Sequence, residues 1–152
     1  MITLVPDLIY RRARFADRNE LFHRVAEDLL AGGYVKESWA DALSAREAAY
    51  PTGLPVPGGV AIPHTDASHV LKDALVVVTL DKPIEFGEMG AAAGSTLSVE
   101  TVFVLVVADP SGHVKFLSKT IRAIQDRAFI ENLASAETAE DIQAAVTAKL
   151  AA

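Results

Sequence analysis

Two valine-rich apolar runs, Ala74-Leu-Val-Val-Val-Thr-Leu80 and Val102-Phe-Val-Leu-Val-Val-Ala108, constrain the fold more than any other feature of the chain. Both are short for a buried helix, rich in β-branched residues and almost free of polar positions. That pattern suits central strands covered on both faces. A bilayer-spanning helix needs roughly 20 consecutive apolar residues, so neither run qualifies and both belong inside a soluble fold. A sheet buried on both faces requires amphipathic helices on either side of it.

Such helices are legible before and after the runs. Asp17-Arg-Asn-Glu20 has capping-box spacing, and Leu21, Phe22, Val25, Ala26, Leu29 and Leu30 recur on one face until Gly32-Gly33 stops the helix. Ser38-Trp-Ala-Asp41 repeats the capping spacing ahead of a second helix that runs to Tyr50, where Pro51 discourages continuation. Downstream of Asp109-Pro-Ser-Gly112, the residues Val114, Leu117, Ile121 and Ile124 mark a helix with His113 in its first turn. Phe129, Ile130 and Leu133 indicate a short helix, and Ile142, Val146 and Leu150 share a face in a last one. Leu4–Phe15 reads as an additional strand, and Pro83-Ile-Glu-Phe86 as a short edge strand, where proline is tolerated. The expected fold class is α/β: a single-domain layered fold over residues 1–152, with a central mixed β-sheet flanked by helices.

Composition narrows the chemistry. Hydrophobic residues make up 51% and charged residues 22%, which favours a sizeable core over disorder. With 14 Lys plus Arg against 20 Asp plus Glu the formal charge is −6, so nothing draws the whole chain to nucleic acid or an anionic membrane. The chain has no cysteine, which excludes disulfides, thiolate nucleophiles and cysteine-ligated metal. The opening Met1–Tyr10 holds Pro6 and Asp7 ahead of Arg11, Arg12 and Arg14, the wrong order for a secretory signal, and a cytoplasmic location is expected.

Histidine is the best reactive candidate. Between Pro51 and Pro63, the residues Gly53, Pro55, Pro57, Gly58 and Gly59 form a shaped surface loop that delivers Val60-Ala-Ile-Pro-His64. His64 therefore stands where a buried segment reaches the surface, open to catalysis, phosphate handling or a structural role. His113 occupies a comparable boundary after the second apolar run. If the strand ends converge, the two imidazoles and the amides of the helix turn could bind an anion; solvation of the helix end is the plainer reading. Arg46, late in the second helix, could reach a phosphate with its rigid fork or form a surface ion pair. His69, Asp66 and Asp73 could join His64 around zinc or manganese, though the spacing is weak, and His23 reads as a solvent-facing residue. Gly90 and Gly94 bracket three alanines without a phosphate-loop pattern, and Ser111-Gly112 lacks the nucleophile-elbow pattern.

The wording Arg46-Glu-Ala-Ala-Tyr-Pro-Thr-Gly-Leu-Pro55, followed by Gly59-Val-Ala-Ile-Pro-His-Thr-Asp66, resembles enzyme IIA of the bacterial sugar phosphotransferase system, fructose/mannitol class. Pro51-Thr-Gly-Leu-Pro55 and His64-Thr-Asp-Ala-Ser-His-Val70 look closest to the galactitol-type branch. The resemblance implies that His64 accepts a phosphoryl group from the phosphocarrier HPr and passes it to enzyme IIB, with the membrane enzyme IIC involved only indirectly. It implies that His113 helps to hold the phosphoryl group and that Arg46 supports it. Nitrogen-regulatory relatives share the phosphorylatable histidine but signal instead of feeding a transporter.

The chemistry so implied has neutral His64 attack phosphorus in line with the departing nitrogen of HPr, while a backbone carbonyl fixes its tautomer. Thr65, His113 and nearby amides would steady the equatorial oxygens, and no cofactor is required. Leu54, Val56 and Ile62 are expected to form an apolar rim on which partners dock in turn.

Overall fold

The computed structural model describes residues 8–91 and 94–151. Leu4–Asp7, the first part of the expected N-terminal strand, lie outside the described residues. The chain folds into an α/β structure with a five-stranded mixed sheet flanked by helices. Its elements are β1 (Ile9–Ala13), α1 (Arg18–Ala31), α2 (Trp39–Ala49), β2 (Gly53–Leu54), β3 (Val60–Ala61), β4 (Ala74–Gly87), β5 (Thr96–Val106), α3 (Pro110–Ile124), α4 (Arg127–Ser135) and α5 (Ala139–Ala151). The sheet order is β1-β4-β5-β3-β2. The β4–β5 pair is antiparallel, β1 runs parallel to β4, β3 runs parallel to β5, and β2 closes antiparallel on β3.

The two apolar runs lie side by side at the centre of this sheet, and the side-chain period of two divides them between its faces. Ala74, Val76, Val78, Val102, Val104 and Val106 pack under α1 and α2. Leu75, Val77, Phe103 and Leu105 pack under α3, α4 and α5. Each fully buried side chain of this size contributes about 1.5–3 kcal/mol, which is why a run without polar alternation belongs here.

Asp17 caps α1 by accepting from the Glu20 amide at 2.9 Å, and Glu20 reaches back to the Ala16 amide at 3.2 Å. Leu30, expected on the buried face of α1, is exposed. The second capping expectation fails: Ser38 makes no side-chain cap bond to α2, because its hydroxyl pairs with Nδ1 of His69 at 2.8 Å. Val114, one of the residues whose spacing marks α3, is 67% exposed. The residues of α3 that enter the core stand toward its C-terminal end, at Thr120, Ala123 and Ile124.

Pro83-Ile-Glu-Phe86 is not a separate edge strand but the continuation of β4, paired with β5 from Ile84↔Val99 to Gly87↔Thr96. The ladder shifts register between Thr79 and Ile84, and Asp81, Lys82 and Pro83 are exposed there. The irregularity accommodates a proline that cannot donate to a ladder. The Pro51–Pro63 segment is likewise more than a surface loop, since β2 and β3 stitch it onto β5. Gly59 makes this possible. Its φ is +70°, and a Cβ there would sit 2.0 Å from the Ser98 carbonyl oxygen of β5.

Candidate phosphoryl-transfer site

The parallel strands β3 and β5 bring His64 and His113 to the same end of the sheet. Beyond β3 the chain stays on β5, with the Leu105 amide donating to the Pro63 carbonyl at 3.1 Å and His64 bridging to Leu105. Three residues after β5 the chain turns into α3, capped by Asp109 and with Pro110 in its first turn, and this turn carries His113. The imidazoles of His64 and His113 meet edge to face, with centroids 4.9 Å apart and planes at 89°. Carboxyl ends of neighbouring strands are a common place for a ligand in α/β sheets.

His64 is 6% exposed, and its Nδ1 lies 2.8 Å from the Ile62 carbonyl oxygen. A carbonyl only accepts, so Nδ1 carries the proton and Nε2 carries the lone pair. Burial holds the His64 imidazole below the ordinary histidine range; the Ile62 hydrogen bond opposes this, and the charges of His113 and Arg46 reinforce it. His113 is lowered as well, first by burial and then by Arg46, with Asp66 pulling the other way.

Arg46 comes from the last turn of α2, where its guanidinium lies 5.9 Å from the exposed Tyr50 ring. Among the described residues its buried Nε has no hydrogen-bond partner, so the expected alternative of a surface ion pair is not formed. A guanidinium whose buried Nε has no partner, close enough to lower both imidazoles electrostatically, favours an anion. The amides of the α3 turn offer less than the sequence suggests: the Asp109 carboxylate already accepts the Ser111 amide at 3.2 Å and the Ser111 hydroxyl at 2.9 Å. Thr65 is buried beside His64, and its hydroxyl donates to the Asp66 carbonyl at 2.8 Å.

The remaining candidates are dispersed. Asp66 caps the short turn Ala67–His69 through Ser68, while His69 bonds Ser38 and keeps its other nitrogen 3.8 Å from Asp66. Asp73 accepts from the Ala108 amide at 2.7 Å. Among the described residues no three His, Asp or Glu side chains gather as a metal would require. His23 faces solvent beside Glu27. Of the expected rim, Leu54 and Val56 are half-buried but Ile62 is wholly buried in the core, because its side chain alternates inward from the end of β3. Val114 and Tyr50 are the exposed apolar groups next to His113 and Arg46 instead.

Sequence reasoning missed two residues. Glu47, 1% exposed, accepts the Thr52 amide at 2.8 Å and the Thr52 hydroxyl at 2.9 Å. Thr52 in turn accepts the Ile62 amide at 3.2 Å. The available signal was the four-residue spacing of Trp39, Leu43 and Glu47, which places a carboxylate on the buried face of α2. Burial raises the Glu47 pKa, opposed by the Thr52 hydrogen bonds and the charges of Arg18 and Arg46.

Among the described residues no helix is long and apolar enough to cross a membrane. Residues 3–149 match the model of the family described as "Phosphoenolpyruvate-dependent sugar phosphotransferase system, EIIA 2". The galactitol-specific EIIA component of Escherichia coli K12 is 31% identical over 120 residues, 78% of this chain and 79% of that protein. The fold is similar to that of mannitol enzyme IIA in its complex with phosphorylated enzyme IIB from Escherichia coli, with a TM-score of 0.77, 22% identity and 99% of each chain covered. It is also similar to the nitrogen regulatory protein IIA of Neisseria meningitidis, with a TM-score of 0.75, 25% identity and coverage of 95% of this chain and 96% of that one. The family match spans the whole described sheet and both histidines, and so the chain belongs to the EIIA 2 family of the phosphoenolpyruvate-dependent sugar phosphotransferase system, as an EIIA-type phosphotransfer component.

Proposed function

We propose that residues 1–152 act as one cytoplasmic phosphoryl carrier, which accepts a phosphoryl group from phospho-HPr on His64 and gives it to an enzyme IIB during uptake of galactitol or a related polyol. The observation that carries this reading is the His64 ring: Nδ1 is tied to the Ile62 carbonyl, which leaves Nε2 with its lone pair beside His113 and the unpaired Arg46. The polyol class rests on the 31% identity to the galactitol-specific component.

In the transfer, the Nε2 lone pair of His64 forms a bond to phosphorus as the bond to the HPr histidine nitrogen breaks, and that nitrogen keeps the bonding pair. His64 is poised for attack because burial keeps it unprotonated near neutral pH. Arg46 offers fixed positive charge to the equatorial oxygens, and His113 a ring nitrogen. Thr65 joins them by turning its hydroxyl from Asp66 toward the phosphoryl group. Transfer to enzyme IIB reverses the geometry. Tyr50 and Val114 supply exposed apolar surface at the rim on which each partner docks in turn.

A mass gain of one acid-labile phosphoryl group on the intact protein, after incubation with phosphoenolpyruvate, enzyme I and HPr, is the expected result. An unchanged mass overturns the reading. The likeness to a nitrogen regulatory IIA supports a second reading, a signalling module phosphorylated on the same histidine. Chase with the enzyme IIB of the same system separates the two, since a carrier loses its label and a signalling module retains it.

A further inference from the structure

Glu47 is a buried carboxylate that the transfer chemistry above does not use. It does not touch the site, yet it stands one residue after Arg46 at the end of α2 and begins a series of hydrogen bonds that reaches His64 by way of the Ile62 backbone. Both carboxylate oxygens accept from Thr52: the amide donates at 2.8 Å and the hydroxyl at 2.9 Å. Having given its proton to Glu47, the Thr52 hydroxyl accepts the Ile62 amide at 3.2 Å. The carbonyl of the same residue, Ile62, accepts Nδ1–H of His64 at 2.8 Å. Every donor in the line points toward the carboxylate. Both polar groups of Ile62 are thereby fixed, and the Ile62 side chain is locked in the core.

We propose that Glu47 is a positioning residue for His64, holding the imidazole in its Nδ1–H tautomer and orientation through Thr52 and the backbone of Ile62, whose amide and carbonyl are both fixed. The inference deepens the carrier reading and rests on it for the meaning of the free Nε2. A carboxylate suits the task because it takes two donors from Thr52 and offers none back. That forces the threonine hydroxyl to present a lone pair, not a proton, to the Ile62 amide. Glu47, Thr52, Ile62 and His64 are all buried, so their polar groups take their partners from one another. The arrangement also couples the two sources of the site: α2 supplies Arg46 from one residue and the anchor for His64 from the next.

The test compares Glu47→Gln, Thr52→Val and Thr52→Ser with the parent chain by imidazole nitrogen NMR and by the rate of phosphoryl acceptance from HPr. Gln turns an amide donor toward Thr52, Val deletes the hydroxyl at nearly constant volume, and Ser restores it. The parent chain is expected to show His64 as the Nδ1–H tautomer alone. In Glu47→Gln and Thr52→Val the other tautomer should appear, with acceptance slowed roughly tenfold to a hundredfold, as misplacement of a reacting group does; Thr52→Ser should return both readouts toward the parent values. A parent tautomer pattern in folded Thr52→Val overturns the proposal, and should Glu47→Gln not fold, Thr52→Val alone decides it. Loss of the tautomer in the variants, together with no phosphorylation of the parent chain, would leave the positioning role standing and reject the carrier reading instead.

Discussion

Replacing the His64 imidazole by a side chain of similar polarity, His64→Gln, is expected to abolish phosphoryl acceptance while leaving the fold intact. The amide of Gln has no basic lone pair to offer phosphorus, whereas the buried backbone around it is held by β3 and β5. Acid-labile labelling that persists in this variant would contradict the assignment. His113→Gln separates holding from attack. It removes the ring that packs 4.9 Å from His64 but keeps the nucleophile, so acceptance should continue and onward transfer to enzyme IIB should slow, by roughly tenfold or more if His113 stabilises the transferring group. Single-turnover chase with enzyme IIB reads this directly, and an unchanged rate would remove His113 from the mechanism. Arg46 differs from both histidines in that its place late in a helix, apart from the family wording, suits a surface ion pair as well as a phosphate contact. Its unpaired buried Nε is a property of the folded site alone.

At the scale of elements, the site depends on a glycine as much as on its histidines. Gly59 lets β3 lie against β5, and β3 aims the chain that ends at His64. In Gly59→Ala the left-handed backbone alone costs about 1–3 kcal/mol, and the new Cβ would lie 2.0 Å from the Ser98 carbonyl oxygen. The expected outcome is a lower melting temperature with a disproportionate loss of phosphoryl acceptance, because the strand that moves is the one that carries the site; an acceptance rate equal to that of the parent would count against this. Elements were legible in the sequence to the degree that local residue type encodes them. The two apolar runs read as strands because burial on both faces leaves no polar position, and Asp17 reads as a cap because its partner lies three residues on. Pro83–Phe86 was misplaced because a register shift restarts the β4 ladder, which nothing in those four residues announces. The two-residue strands β2 and β3 are set by contact with β5, a long-range fact. At the site, His64 and His113 were legible as boundary residues after apolar segments. Glu47 was not, since a glutamate near a helix end ordinarily faces water and only its spacing from Trp39 and Leu43 says otherwise.

Across the whole molecule, one end of the sheet carries two histidines that the fold keeps neutral, and stability is linked to that neutrality. Burial lowers both pKa values, so the folded chain binds fewer protons than the unfolded chain, whose histidines titrate near about 6.5. The sign follows: stability is fully present above that value and declines as pH falls through it toward the lower folded values. Asp66, Asp109 and Asp126, which their hydrogen bonds hold below the ordinary carboxylate range, act in the same direction but at more acid pH. Glu47 acts in the opposite sense, since its raised pKa contributes stability that is present at acid pH and lost as pH rises through the folded value. The histidine contribution therefore has its own window between neutrality and mild acid. The thermal midpoint of the parent chain should fall as pH is lowered from about 7.5 to about 5.5, and the double variant His64→Gln/His113→Gln should flatten that decline. A decline of equal steepness in the double variant would mean that other groups govern acid stability. On the carrier reading proposed above, the same linkage gives a functional sense to the burial: a nucleophile at His64 would meet its donor with a free lone pair, and the fold gives up part of its acid stability to keep that ring neutral.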